Sequence, residues 1–275
     1  MNPVPELVTL HVWRIPRRAV PRALLRMAVD RRRLRATPGV RFAKLLGTGS
    51  GSSSGGGFGP GDADLTRWAA LVVWADPTRA VSFDDSPVGR AWGRIALAAA
   101  RLDLRPLASR GRWAGVEPFG TPTGRNDPTG KNDPTGKNDP TGKNDPTGKN
   151  DPTDENDPTG GPVLALTRAR LRPSRAATFW RAIPAVAATL SDTPGLTARF
   201  GIGEAPLGWQ GTVSVWRSSA DLLAFAYRQP EHRNAIMRTP TERWYAEELF
   251  ARFEVRAMRG DRSVLDWADH DGDPQ

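Results

Sequence analysis

The sequence contains no cysteine, only three histidines and only two tyrosines. Without cysteine there can be no disulfide framework, no thiolate-ligated haem, no protein-held iron–sulfur cluster and no zinc–cysteine site. No apolar run reaches the length needed to cross a bilayer as a helix. The N-terminal MNPVPELVTL lacks a basic stretch followed by an apolar one, so no secretory signal is expected, and cytoplasm is the expected location. Motifs for nucleic acid are missing too: no zinc-finger or RNP pattern and no aromatics interleaved with the basic residues. Nor does any strand lead into the glycine fingerprint of a dinucleotide fold. The glycine-rich GTGSGSSSGGGFGPG, residues 47–61, lacks the Gly-Lys-Ser/Thr ending of a phosphate loop, so it reads as an elongated loop.

Positive charge is what the chain has in excess, with a formal net charge of +9. Much of it lies between Arg14 and Arg35, in RIPRRAVPRALLRMAVDRRRLR. Leu24, Leu25, Met27 and Ala28 interrupt the arginines at helical spacing, which predicts an amphipathic helix with a solvated basic face. Such a helix also suits peripheral contact with an anionic membrane surface.

A hexapeptide array dominates the middle. NDPTGK starts at Asn126 and recurs at Asn132, Asn138 and Asn144, followed by NDPTDE at Asn150 and NDPTGG at Asn156. Every unit is built of turn formers and lacks a residue able to fill a core, so residues 121–161 are expected to be a disordered linker. A flexible chain of this length spans roughly 30–35 Å, enough to join two neighbouring units without fixing their geometry.

The segments on either side run in parallel. LVTLHVWRI opens the first and VLALTRARL the second, each followed by a helix candidate that ends in Thr-Pro-Gly, at Thr37–Gly39 and Thr193–Gly195. Each then has a strand candidate and a Gly-x-Gly (Gly47 and Gly49; Gly201 and Gly203), and next an apolar strand ending in Trp74 or Trp216. Phe83 and Phe225 stand nine residues beyond those tryptophans, and the closing strands carry Arg110-Gly111 and Arg259-Gly260. The shared order gives β-α-β-β-α-β twice, the ferredoxin-like arrangement. Each copy has an open sheet face that must be covered, so the prediction is an α+β chain of tandem ferredoxin-like units forming a pseudo-dimeric α+β barrel. The expected division is a first half over 1–120, the linker, a second half over 162–262 and a polar tail over 263–275.

Few residues can carry chemistry. His270 lies in the polar tail. His11 lies on the first strand in register with Thr9 and Trp13, where a histidine is usually a packed, hydrogen-bonded core residue. His232 sits in AFAYRQPEHRNAIMR: Pro230 suits a helix start and Ile236 falls one turn after His232 on the same face, with Phe225, Tyr227 and Trp244 close in sequence. A neutral imidazole beside apolar side chains is what a haem iron takes on its proximal side, and it is equally what a half-buried histidine with a backbone partner looks like.

The stretches GIGEAPLGWQGTVSVW, AFAYRQPEHRNAI and RWYAEELFARFEV, with FAKLLGTGSG and RGRWAGVEPF from the first half, resemble the spheroidene monooxygenase (acyclic carotenoid ketolase) family. The resemblance extends over most of 7–119 and 163–259. It implies oxygen-dependent oxidation of a hydrophobic, carotenoid-like small molecule with haem iron and an external electron donor such as a ferredoxin. It also implies that His232 is the proximal iron ligand, with Arg228, Arg233 and Arg238 as candidate partners of the haem propionates. The parallel first-half segment SPVGRAWGRI has no histidine, so one haem per chain is expected. Three rival readings stand beside this one: a cofactor-free oxygenase, a barrel whose cavity binds haem or a lipophilic ligand without turnover, and a non-haem iron site using His11, His232 and Glu204.

Overall fold

The computed structural model describes residues 3–49, 62–120, 160–172, 193–204, 209–228 and 245–267. The first half contributes β1 (Val8–Arg14), α1 (Val20–Arg35), β2 (Val40–Gly49), β3 (Ala63–Trp74), a 3-10 segment (Pro77–Asp85), α2 (Pro87–Gly93) and β4 (Ala98–Gly111). The second contributes β5 (Val163–Leu171), β6 (Leu196–Gly203), β7 (Trp209–Trp216), α3 (Ser219–Arg228) and β8 (Tyr245–Gly260). A 3-10 turn, Arg262–Leu265, follows β8. The NDPTGK array and the expected helix over 175–190 lie outside the described residues.

The eight strands close into one barrel in the order β1-β3-β2-β6-β7-β5-β8-β4. Every neighbouring pair is antiparallel. Opened at its two seams, the barrel gives β4-β1-β3-β2 and β8-β5-β7-β6, the ferredoxin-like order twice over. The expected pseudo-dimeric α+β barrel is therefore the observed fold. The two sheets join edge to edge: the Gly-x-Gly segments pair with one another, Gly47 with Gly203 and Gly49 with Gly201, and the long seam runs from Ala100↔Gly260 to Gly111↔Leu249.

Local details repeat across the pseudo-twofold. Trp74 ends β3 opposite Val40, and Trp216 ends β7 opposite Leu196, each followed by an irregularity in register, at Val40/Phe42 and Leu196/Ala198. Gly39 and Gly195 adopt φ of +81° and +82°, which end the turn entering β2 and β6. A side chain is strained at that φ, and a Cβ on Gly195 would run into the side chain of Asp221. The tryptophans keep their phenylalanines: Trp74 meets Phe83 edge-on at 6.2 Å, and Trp216 meets Phe225 at 5.1 Å.

Alternation sorts each strand into inward and outward residues. Val8, Leu10 and Val12 of β1 point into the barrel with Leu46, Leu71, Val73, Leu102, Leu104, Leu164, Leu166, Phe200, Ile202, Val213, Val215, Leu249 and Phe253, all buried. Eight strands enclose a lumen that side chains fill, and here they do. The chain segments after β4 and β8 seal its mouths. Trp113 and Phe119 close one, with Phe119 edge-on to Phe253 at 4.9 Å, and Val264 and Leu265 close the other. Within the stretch expected as a polar tail, Val264 and Leu265 are buried and form this apolar seal. His270 lies outside the described residues.

Candidate functional site

With the lumen packed, the two outer sheet faces are what differ between the halves, and the strand registers allow them to be compared position by position. In the first half, Thr9, His11 and Trp13 of β1 face outward beneath α1, α2 and the 3-10 segment, and all three are buried. Trp13 stacks on Trp92 at 5.4 Å, Trp68 meets Trp92 at 5.7 Å, and the ring of His11 lies 3.9 Å from that of Phe83. Trp74 Nε1 donates to Thr9 Oγ1 at 2.9 Å, and His11 Nε2 lies 3.0 Å from the same oxygen. Interlocked aromatics fill the space between sheet and helices. His11 is thus the packed core residue that its strand position predicts. Burial, helped by the nearby charge of Arg101, depresses its pKa well below the ordinary 6.5, so the ring is neutral.

In the second half, β5 places Ala165, Thr167 and Ala169 where β1 has Thr9, His11 and Trp13. On β7, Thr212 and Ser214 replace Ala70 and Val72, and on β6, Gly201 replaces Leu45. Ala165, Thr167, Ala169, Thr212 and Ser214 are only half-buried. One cross-strand row on this face reads Arg199–Ser214–Ala165–Arg252. Ser214 Oγ accepts from Trp216 Nε1 at 3.0 Å, which leaves its own proton to donate. Arg252 is half-buried, and its Nε and Nη1 are buried without a hydrogen-bond partner among the described residues. Glu254, two residues along the same strand face, is already engaged by Arg105 at 2.5 Å and Arg256 at 3.4 Å. A buried guanidinium with orphaned donors is costly unless an anion supplies acceptors. The second-half face therefore combines small side chains, hydroxyl donors and an under-satisfied cation, where the first-half face is a solid aromatic layer.

Two polar clusters occupy the barrel mouths, and both pair their charges internally. At one, Arg168 pairs with Glu247 and, at 3.1 Å, with Glu204, which also accepts from Lys44 at 2.6 Å and Trp113 Nε1 at 2.5 Å. Burial of Glu247 opposes its ionisation, but the amides of Gly115 and Ala114 and the Arg168 guanidinium outweigh this and hold its carboxyl below the usual range. At the other, Arg67 is fully buried, donates to Gly49 O at 2.9 Å and Thr48 Oγ1 at 3.2 Å, and pairs with Asp266. These clusters tie the sealing segments to the strands, and sequence reading missed them. A charged residue at an inward position, such as Arg168 following Leu164 and Leu166, was the available signal.

Of the residues proposed from sequence, Arg228 ends α3, while His232, Arg233 and Arg238 lie outside the described residues. His11 and Glu204 do not converge: His11 faces outward beneath the first-half helices, and Glu204 is held at a barrel mouth. Among the described residues no group of three His, Asp or Glu is placed to hold a metal ion. Burial, with Glu248 close by, pushes the Tyr245 hydroxyl pKa up, which opposes its use as a tyrosinate ligand.

No family model matches the chain. It is 31% identical over 246 residues to the spheroidene monooxygenase of Rhodobacter capsulatus, covering 88% of this chain and 86% of that protein. The chain belongs to the spheroidene monooxygenase family. The Rubrivivax gelatinosus member of the family is 32% identical over 225 residues, 81% of this chain and 72% of that one. Membership makes the protein an oxygenase. Among solved structures, an aldoxime dehydratase superposes with a TM-score of 0.53 at 13% identity, covering 90% of this chain and 80% of that one, a likeness of fold.

The neutral state of His11 has a measurable consequence. Because its folded pKa lies below the unfolded value of about 6.5, the unfolded chain binds the extra proton, and stability falls as pH drops below that value. Denaturant unfolding between pH 8 and 5 should show a loss of up to about 1.4 kcal/mol per pH unit from this group. His11→Gln should be less stable at pH 8 by about 1–3 kcal/mol yet have a flatter pH profile. Parallel profiles for the two proteins would refute the assignment.

Proposed function

We propose that this family member is a haem-dependent monooxygenase that oxidises a hydrophobic, carotenoid-like or isoprenoid substrate, with haem on the outer face of the second-half sheet. The observation that carries the reading is the contrast between the faces. Ala165, Thr167, Ala169, Gly201 and Ser214 stand where the first half has Thr9, His11, Trp13, Leu45 and Val72. Small side chains on the second-half sheet suit a large flat ligand, whereas aromatics fill the equivalent face of the first-half sheet.

The residues present suit a haem. Arg252 brings buried guanidinium donors in need of acceptors, as a propionate would supply. Arg199, buried on the same face, is a further cation at that surface. His232, the proximal ligand that the resemblance implies, follows α3 in sequence, with Arg228, Arg233 and Arg238 near it in the chain as further propionate partners. When bound, haem iron supplies the activation of dioxygen that side chains of this kind do not. The chain's own part is binding, orientation and proton supply. The Ser214 hydroxyl, with its acceptor role taken by Trp216, keeps a proton to donate into the face, and Thr167 and Thr212 add two more hydroxyls beside it. Ala165 and Ala169 give the substrate apolar surface on this face. Electrons come from an external donor, such as a ferredoxin.

Titration of the purified full-length chain with haemin tests this. A saturable rise of the intense near-ultraviolet haem band is expected, at one haem per chain. His232→Ala should lose the band or shift it to a weakly bound high-spin form, whereas His11→Ala and Tyr227→Phe should keep the wild-type spectrum. Saturable binding with an unchanged spectrum in His232→Ala would show that the ligand lies elsewhere. Absence of any binding by wild type, with oxygenation of substrate intact, would favour a cofactor-free oxygenase.

A further inference from the structure

Helix α1 covers the first-half sheet with one side and leaves its other side unpartnered among the described residues. Ala23, Asp30 and Leu34 are buried against the molecule. On the opposite side Leu24 is 51% exposed, Leu25 65% and Val29 44%. These bulky aliphatic side chains, with Pro21 and Ala28 between them, form one stripe along the helix, since positions three and four apart share a face. Single exposed leucines need no explanation, but a stripe of them along one helix marks a contact surface.

The flanks of the stripe say what it contacts. Arg22, Arg32 and Arg35 are exposed along α1, and Arg17 and Arg18 are exposed in the turn that enters it. Asp30 is the helix's sole acid, and it is buried between Arg26 and Arg33, so it does not neutralise the outer face. Glu204 offers α1 only its backbone oxygen, to Arg31, because its carboxylate is taken by Lys44 and Arg168. The outer face is thus basic and aliphatic at once. Nucleic acid would use the charge and leave the leucines in water, and a second copy of this chain would bring arginine against arginine. A surface that accepts both components presents anionic groups over hydrocarbon.

We propose that α1 docks this protein on an anionic lipid bilayer, with Leu24, Leu25 and Val29 entering the acyl boundary and Arg22, Arg32 and Arg35 resting among the headgroups. Long arginine stems reach from the apolar boundary to the headgroup level, so the two residue types do not compete for depth. The helix lies in the plane of the surface, which matches its exposed stripe, and no helix among the described residues is long and apolar enough to cross a membrane. Such docking would hold the barrel where a hydrocarbon substrate is dissolved, but it rests on the surface of α1 and not on the cofactor.

Flotation of the full chain with vesicles tests it, using phosphatidylcholine alone and phosphatidylcholine mixed with phosphatidylglycerol. Wild type should float with the mixed vesicles, remain unbound with the neutral ones, and be released by added salt as screening grows. Leu24→Glu/Leu25→Glu and, separately, Arg22→Glu/Arg32→Glu should each weaken binding by about tenfold or more, with thermal midpoints unchanged because these side chains are exposed. The haem spectrum should be the same in all variants, so failure here and failure of the haem reading are distinguishable. Equal flotation of wild type and both variants, or failure of wild type to bind mixed vesicles, would overturn the proposal. So would loss of a solution dimer in Leu24→Glu/Leu25→Glu with vesicle binding intact, which would identify a second copy as the occupant.

Discussion

Closure of the sheet edges is the constraint on which everything else in this molecule depends. A four-stranded ferredoxin-like sheet leaves two edge strands with unpaired backbone groups, and such edges invite pairing with another chain. Here β2 meets β6 through Gly47-Thr48-Gly49 and Gly201-Ile202-Gly203, and β4 meets β8 along the seam that ends at Gly111 and Gly260. Each of the eight described strands has a neighbour on both sides, and the inward residues of both halves become one continuous core. Because β2 and β6 are equivalent strands, as are β4 and β8, joining like to like imposes the pseudo-twofold. That symmetry in turn sends the segment after β4 to one mouth and the segment after β8 to the other.

With the lumen full, the pseudo-twofold leaves two equivalent outer sheet faces. The chain uses them differently. The first-half face buries Thr9, His11 and Trp13 in an aromatic layer with Phe83, Trp68, Trp74 and Trp92, as good a core as the barrel itself. The second-half face keeps the strand framework but puts Ala165, Thr167, Ala169, Gly201, Thr212 and Ser214 at those positions, beside Arg199 and Arg252. A duplication freed from symmetry thus lets one copy bury large aromatics on its outer face while the other keeps smaller side chains there. The half with the solid face also carries α1, whose outer stripe faces away from the barrel.

Much of this architecture is legible in the amino-acid order because the two halves carry the same punctuation. Thr-Pro-Gly at 37–39 and 193–195 and the strand-ending Trp74 and Trp216 mark turns and strand ends that both halves require, and the positive φ of Gly39 and Gly195 demands the same residue twice. The two Gly-x-Gly, by contrast, meet at the seam offset by two positions. What could not be read was which residues oppose one another across strands. The row Arg199–Ser214–Ala165–Arg252 draws on four separate strands and exists only through register. Arg67 and Arg168 were hidden for a related reason: a strand pattern says that a position points inward, but not that it lies at a mouth where an arginine can find acids from a distant segment. Val264 and Leu265 read as an ordinary apolar pair in a polar tail until the mouth they fill is known.

The proposed haem would bind at the second-half outer face, neither in the lumen nor on the first-half face. Anomalous scattering from iron in crystals of the full chain grown with haemin locates the metal directly. A single iron site is expected over the Ser214–Ala165 row, on the helix side of the sheet formed by β5–β8. Iron inside the barrel, or beside His11 beneath α2, would contradict it.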